Sequence, residues 1–529
     1  MNDFSSLEHQ LREIVSRLPP EISESLASAL HSTATTTRNP NAHSSSSPQL
    51  ATCYGNFKQL ADAYINFTYE NPTTYHVIQY VSRTLEQHGF KYLNERKDWS
   101  NDLSRHHGGK FYTTRNGTSV AAFIVGDKWV PQCGAGIIGC HTDSLCAKLK
   151  PASIKHDIEG FELLGVAPYS GALEECWFDR DLGIGGRVLV RESVDGEGFS
   201  KNVKAVLIDS SPHPVAKIPS LAPHFGKVAD GPYDKEDQAV PIVGFSSSTD
   251  DFETQAVTEE EKMSPLYGKH PINLLRYVAK LAGVKVSQLI EWDLELFDVQ
   301  RGNVGGLNDE FIFAPRMDDK LCTFAALHAL CKFADTVRTS DYDNLVLLGL
   351  FDNEEIGSRT RQGASGPVLA ATLERLADAV AGATEADMRV LIANSIILSA
   401  DVTHMFNPDF KNVYLEHHSP RPNYGITVKI DPNLHMATDN VGLTFVEELG
   451  RKNGDRIQYF HIKNNSQAGS TIGPELALSG ARTVDVGIPQ LAMHRIRAVT
   501  GTKDVWLGMK FFSHFYRDWK EVYDKFGDL

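Results

Sequence analysis

The chain has 529 residues, 41% of them hydrophobic and 22% charged, with a formal net charge of −15. That size supports a large core, read here as two domains plus an N-terminal tail, and the negative balance with no basic cluster argues against a nucleic-acid partner. No apolar run reaches the roughly 18 residues of a membrane span, and the opening MNDFSSLEHQL lacks the basic start and apolar core of a secretory signal.

Seven cysteines without a C-x-x-C pair read as free thiols of a reducing compartment. The sequons at Asn66, Asn116 and Asn464 are accordingly expected to stay bare. In residues 3–18, Phe4, Leu7, Leu11, Ile14, Val15 and Leu18 fall on one helical face, Ser5 and Glu8 suit a capping box, and Pro19-Pro20 ends the helix. A weaker stripe follows at Ile22, Leu26 and Leu30. Residues 31–47 are too rich in Ser, Thr and Asn to bury a core and read as a flexible tether. A short amphipathic helix on such a tether is a docking or self-association element, or else packs on the body.

The body is expected from about Tyr54, with helices over 60–68 and 75–89 and a strand over 135–140 that delivers His141-Thr142-Asp143-Ser144. A His at a strand end with an Asp two residues on suits a metal ligand steadied by a carboxylate. The texture changes over 151–302. Antiparallel strands are expected over 187–193 and 203–210, a loop over 219–238 contains Pro223-His224-Phe225-Gly226, an acidic solvent-facing loop covers 246–262, and a helix over 272–282 stops at Gly283. This reads as a second domain inserted into the first.

Residues 311–313 then lead through Ala314-Pro315-Arg316-Met317-Asp318-Asp319 into an apolar helix over 321–333. The run 345–351 is unbroken apolar, as in a strand buried on both faces of a parallel sheet, and ends at Asp352-Asn353-Glu354-Glu355. Strands over 395–398 and 483–486 precede Asp401 and His494. Ligands and catalysis sit beyond the carboxyl ends of parallel strands. His141, Asp318, Glu354/Glu355, Asp401 and His494 all follow that context, and they are residue types that hold borderline metals. Two ions about 3.5–4 Å apart need a bridging carboxylate. Asp318 would bridge, His141 and Asp401 would complete one site, and Glu355 and His494 the other. Glu354 is left as a general base.

His141-Thr142-Asp143-Ser144, Asp179-Arg180-Asp181-Leu182, Pro315-Arg316-Met317-Asp318-Asp319, Asp352-Asn353-Glu354-Glu355-Ile356-Gly357-Ser358, Ser399-Ala400-Asp401 and Pro489-Gln490-Leu491-Ala492-Met493-His494 resemble, in order, the M18 metallo-aminopeptidases. The N-terminal extension, Asn71-Pro72-Thr73-Thr74-Tyr75-His76-Val77, the stretch Ile218-Pro219-Ser220-Leu221-Ala222-Pro223-His224-Phe225-Gly226-Lys227 and Leu296-Phe297-Asp298-Val299-Gln300 are similar to the fungal vacuolar branch of that family.

The resemblance implies an α/β, zinc-exopeptidase-type domain with a mixed, largely parallel sheet flanked by helices, discontinuous over 51–150 and 303–529. A β-rich dimerisation domain would be inserted at 151–302. It implies hydrolysis of single N-terminal residues with two zinc ions per subunit, the five ligands named above, and Glu354 and Asp143 as catalytic residues. It also implies a cis peptide at Asp318–Asp319 and a tetrahedral dodecamer of dimers whose inner chamber admits short peptides. A histidine of the insert would reach a neighbour's site; His224 is the candidate, with His213 and His270 in the same domain. In the vacuolar branch residues 1–50 would be a propeptide and linker. Such a chain is made in the cytoplasm, recognised by a selective-autophagy receptor through its N-terminal helix, and cleaved in the vacuole, here between His31 and Thr52.

That branch implies neutral or apolar substrates, notably leucine. The cytosolic aspartyl branch, acting on Asp and Glu, is the alternative. Lys429 would serve acidic substrates if it faced the site, whereas an alternating strand would send it to solvent. Gly469-Ser470-Thr471-Ile472-Gly473 reads as a pocket wall with backbone donors, or as a tight turn. A non-catalytic scaffold is the third reading.

Overall fold

A nine-stranded sheet organises the molecule. Its spatial order is Lys91–Tyr92, Gly109–Arg115, Ser119–Val125, Leu345–Phe351, Gly136–His141, Ile396–Ala400, Arg482–Gly487, Ile426–Lys429 and Ile457–Phe460. The four strands from Leu345–Phe351 to Arg482–Gly487 are mutually parallel, and antiparallel pairs join them to the strands on either side. The computed structural model describes residues 56–100, 102–103, 107–191, 202–226, 232–245, 255–466 and 469–529. The helix expected over 3–18, the stripe at Ile22, Leu26 and Leu30, and the tether over 31–47 lie outside the described residues, as does much of the 246–262 stretch.

The apolar run that suggested a two-sided strand divides its side chains between two cores. Val346, Leu348 and Leu350 pack with the helices Met317–Thr336 and Asp504–Tyr523. Leu345, Leu347 and Phe351 pack on the opposite face with Leu369, Leu373 and Leu376 of the helix Val368–Ala381. Covering both faces removes any place for a polar residue, so period-two alternation is lost. Each such leucine contributes about 1.5–3 kcal/mol by leaving water.

Residues 146–298 supply a second, six-stranded sheet, all antiparallel, in the order Val203–Asp209, Leu182–Arg191, Leu289–Asp298, Cys146–Ile154, Phe161–Tyr169 and Ile242–Phe245. Its own apolar core includes Leu164, Ile184, Val188, Leu294 and Leu296, together with Leu275 and Val278 of the helix Ile272–Ala282. That helix stops at Gly283, whose φ of 68° is the left-handed cap that glycine adopts freely. Within the acidic stretch, Glu261 is buried rather than solvated, because the Arg276 guanidinium donates to both of its oxygens at 2.6 and 3.0 Å. No helix among the described residues is long and apolar enough to cross a membrane.

Candidate metal centre

The strand Gly136–His141 pairs in parallel with Leu345–Phe351, and the register sets His141 beside Phe351. One strand therefore ends in a buried histidine where its neighbour runs into Asp352-Asn353-Glu354-Glu355. His141 Nε2 lies 3.0 Å from Asp318 Oδ1, 3.5 Å from Asp401 Oδ1 and 3.8 Å from Glu354 Oε2. Across the same carboxylate, His494 Nε2 is 3.4 Å from Asp318 Oδ2 and 3.8 Å from Glu355 Oε2. Potential ligand atoms of His141, Asp318 and Asp401 lie within 4.8 Å of one another, as do those of Asp318, Glu355 and His494. The two triads share Asp318, and Glu354 borders the first without belonging to either.

Asp318 opens the helix Met317–Thr336 at a non-helical turn, and its peptide to Asp319 is cis. The Asp318 carbonyl accepts the Ser144 hydroxyl at 2.5 Å. Two basic side chains, half-buried Arg316 and buried Lys320, flank this turn. Arg316 donates to the Thr68 and Asp298 carbonyls at 3.0 Å each, and Lys320 donates to the Asn71 and Pro72 carbonyls at 2.6 and 3.0 Å. Both thus grip the end of the helix Phe57–Glu70 and the residues just after it.

Asp143, 2% exposed, joins the two histidine and glutamate stations. Its Oδ1 accepts the Glu354 N–H and its Oδ2 the Glu355 N–H, both at 3.1 Å, and His141 Nδ1 stands 3.3 Å from Oδ1. Tyr169, at the end of a strand of the six-stranded sheet, donates its hydroxyl to Asp143 Oδ2 at 2.8 Å and accepts from Asn353 Nδ2 at 3.0 Å. Asn353 has φ 64°, a left-handed conformation that asparagine tolerates better than most residues. Tyr169 was not foreseen in the sequence: it ends an ordinary strand, with no chemical neighbour in the chain to mark it.

Among the carboxylates crowded into this volume, Glu354 and Glu355 resist ionisation. Burial, opposed by His141 and reinforced by Asp401, Asp318 and Asp143, pushes Glu354 up to about 8. Burial and the Asp318 charge also raise Glu355. Asp318 moves the other way: burial opposes ionisation, but hydrogen bonds from His141 and His494 hold it below the ordinary range. Asp401 Oδ1 and Glu355 Oε1 are buried and accept no hydrogen bond. Such unpartnered anionic oxygens are costly unless a cation meets them.

Lys429 does not reach solvent, because all four residues of Ile426–Lys429 are buried. Its ammonium sits 3.5 Å from Asp401 Oδ2 and is thus already paired within the cluster. In the glycine-bordered stretch, Thr471 caps the helix Ile472–Ala477 and donates to Asp485 at 2.6 Å. A Cβ on Gly473 would stand 2.3 Å from Asp485 Oδ2, so the close approach requires glycine. Among the histidines of the inserted region, His156 is exposed, His270 is buried against Ser153, and His213 bonds the Tyr277 hydroxyl at 2.9 Å. His224 lies in the exposed turn Pro223–Phe225. Asp179 fastens the base of that loop, accepting from Ser220 and donating its N–H to the Ile218 carbonyl at 2.8 Å.

Comparison with known proteins is consistent with this centre. Residues 67–516 match the family model described as aminopeptidase I zinc metalloprotease (M18). The chain is 54% identical over 475 residues to vacuolar aminopeptidase 1 of Saccharomyces cerevisiae, covering 90% of this chain and 91% of that one. It is 37% identical over 494 residues to an aspartyl aminopeptidase of Aspergillus oryzae, covering 88% and 97% respectively. A solved structure of the S. cerevisiae mApe1 dodecamer matches with a TM-score of 0.81 and 50% identity, over 90% of this chain and all of that one.

Proposed function

Because the chain belongs to the M18 zinc aminopeptidases, we propose that it removes single neutral or apolar N-terminal residues, leucine above all, from short peptides. The observation that carries this reading is a pair of ligand triads sharing Asp318, with Glu354 beside them and in neither. The donor set fits zinc, since imidazole nitrogens and carboxylates are its usual ligands, and the partnerless oxygens of Asp401 and Glu355 are provided for. His141, Asp318 and Asp401 would hold one ion, and Asp318, Glu355 and His494 the other.

Bound there, zinc supplies Lewis acidity that polarises a peptide carbonyl and acidifies water. Glu354 Oε2 takes a proton from the attacking water and passes it to the leaving nitrogen. Asp143 holds His141 and the Glu354-Glu355 turn in place through the contacts described above.

One observation favours apolar over acidic substrates. Lys429 is committed to Asp401 and is not offered to a ligand. The small cavity beside Asp318 and His494 has a mixed wall, apolar at Leu145, Trp177, Phe297, Met317 and Ile496 and cationic at Arg316 and Arg495. Of these, Arg316 is occupied by the Thr68 and Asp298 carbonyls.

The assembly is proposed as a tetrahedral dodecamer of dimers, the mApe1 structure being named as a dodecamer. Residues 151–302 would form the dimer contact, and His224, in the exposed turn Pro223–Phe225, would enter a neighbour's site. Residues 1–50 are proposed as a propeptide whose helix is read by an autophagy receptor. The similarity to vacuolar aminopeptidase 1 supports a vacuolar location, and delivery there after synthesis in the cytoplasm is proposed with it.

Replacing Glu354 with Gln keeps shape and removes the base. The zinc-loaded Glu354→Gln protein is expected to keep its metal and assembly and to lose about 10²- to 10⁴-fold in turnover of aminoacyl substrates. Parental turnover in that variant would refute the assignment, and absence of turnover in the parent would leave a scaffold.

A further inference from the structure

We propose that Tyr169, carried by the six-stranded sheet, is a positioning residue through which that sheet holds the Glu354-Glu355 turn in its working geometry. The inference rests on the role proposed above for Glu354.

Asp143 must serve three masters: the His141 ring and the N–H groups of Glu354 and Glu355. Its carboxylate can swing about its own side-chain bonds unless something outside that set fixes it. The Tyr169 hydroxyl does so at 2.8 Å on Oδ2, the oxygen that also takes the Glu355 N–H. The tyrosine is itself aimed from the other side, because its oxygen accepts from Asn353 Nδ2 at 3.0 Å. Asn353 is in turn pinned through Oδ1, which accepts from Thr360 Oγ1 at 2.9 Å and Gln362 Nε2 at 3.1 Å.

The hydrogen bonds therefore close a ring. Asn353 precedes Glu354 in the chain, bonds Tyr169, and Tyr169 bonds Asp143, which returns to the backbone of Glu354 and Glu355. Tyr169 is the member contributed by the other sheet, where its strand pairs with Cys146–Ile154 and Ile242–Phe245. Burial and the Asp143 charge push its phenol above the ordinary range, so it stays a donor. A carboxylate accepting from a neutral hydroxyl is a charge-assisted bond, stronger and more directional than a neutral one. None of these atoms need touch substrate, so the effect is transmitted only through the position of Glu354 and Glu355.

The test uses the full zinc-loaded chain and Tyr169→Phe, which keeps the ring and deletes the one donor. The expected result is a fall in kcat of about 10- to 100-fold, with KM within about twofold and zinc content unchanged. Asn353→Gly keeps the left-handed backbone and deletes the aiming group, so it should lower kcat in the same sense. The double variant should lose little more than Tyr169→Phe alone, because both act through one chain of bonds. A parental kcat in Tyr169→Phe overturns the proposal, as does a loss of activity that merely follows loss of zinc. Fully additive losses in the double variant also overturn it. If Tyr169→Phe fails to fold, Asn353→Gly alone decides by the same split of kcat from KM. Glu354→Gln, assayed alongside, separates failure of this inference from failure of the catalytic assignment.

Discussion

Lys429 Nζ stands 3.5 Å from Asp401 Oδ2 and 3.3 Å from the Val402 carbonyl, with 3% of its side chain exposed. Burial alone would favour a neutral amine, but the Asp401 and Asp485 charges raise its pKa above the ordinary lysine value. The cation therefore balances two buried carboxylates from behind the metal centre.

Replacing Lys429 with Met should strand those anions at a cost of about 3–5 kcal/mol. Urea unfolding of the zinc-loaded variant measures this. An unchanged midpoint would mean that the cation contributes nothing to the fold.

Removing zinc is expected to lower Tm, because the native chain binds it far better than the unfolded one does. At free zinc 100-fold above Kd the contribution is about 2.7 kcal/mol per site. Calorimetry with a chelator and then with zinc restored should show a reversible shift. No shift would argue that the clustered carboxylates are neutralised by protons alone.

His328 offers a pH dependence away from the metal centre. Its fully buried ring packs 4.3 Å from Phe324, and burial first, then the His88 charge, lowers its pKa from 6.5 to about 3. Because the folded state refuses a proton that the unfolded state accepts, the stability is fully present above about 6.5. It is lost as pH falls from there toward about 3, by about 2 kcal/mol at pH 5. His328→Gln should flatten that slope in unfolding titrations between pH 7 and 5. An equally steep slope in the variant would place the acid sensitivity elsewhere.

Gly473→Ala puts a methyl group against Asp485, which also receives the Thr471 hydroxyl and the Ala437 N–H at 2.6 Å each. A loss of about 1–3 kcal/mol is expected from overpacking. Gly469→Ala, with no atom within 4 Å of the added carbon, is the control and should stay within about 0.5 kcal/mol. Equal effects at both positions would contradict the steric account.

Strands buried on both faces were the most legible part of the fold, because they suppress alternation and leave a chemical residue at the strand end. Leu345–Phe351 followed by the glutamate pair is the clearest instance, and Gly136–His141 and Ile396–Ala400 repeat it. Lys429 was misjudged for the same physical reason. Its strand was expected to alternate with solvent, and it is enclosed instead. Tyr169 could not be read at all, since it meets Asp143 only through the strand pairing that sets it opposite Cys146.

The residues of the two triads enter the chain at 141, 318, 355, 401 and 494. A growing polypeptide therefore lacks a finished centre until almost its last strand has been made. Asp318 is also bracketed in the chain by Arg316 and Lys320, which reach back to the helix Phe57–Glu70 and the residues just after it. With the proposed ligands, metal uptake would be a late event in the life of the molecule. A chain truncated before His494 should stay without a competent site, so peptide-cutting power arises only after synthesis is essentially complete.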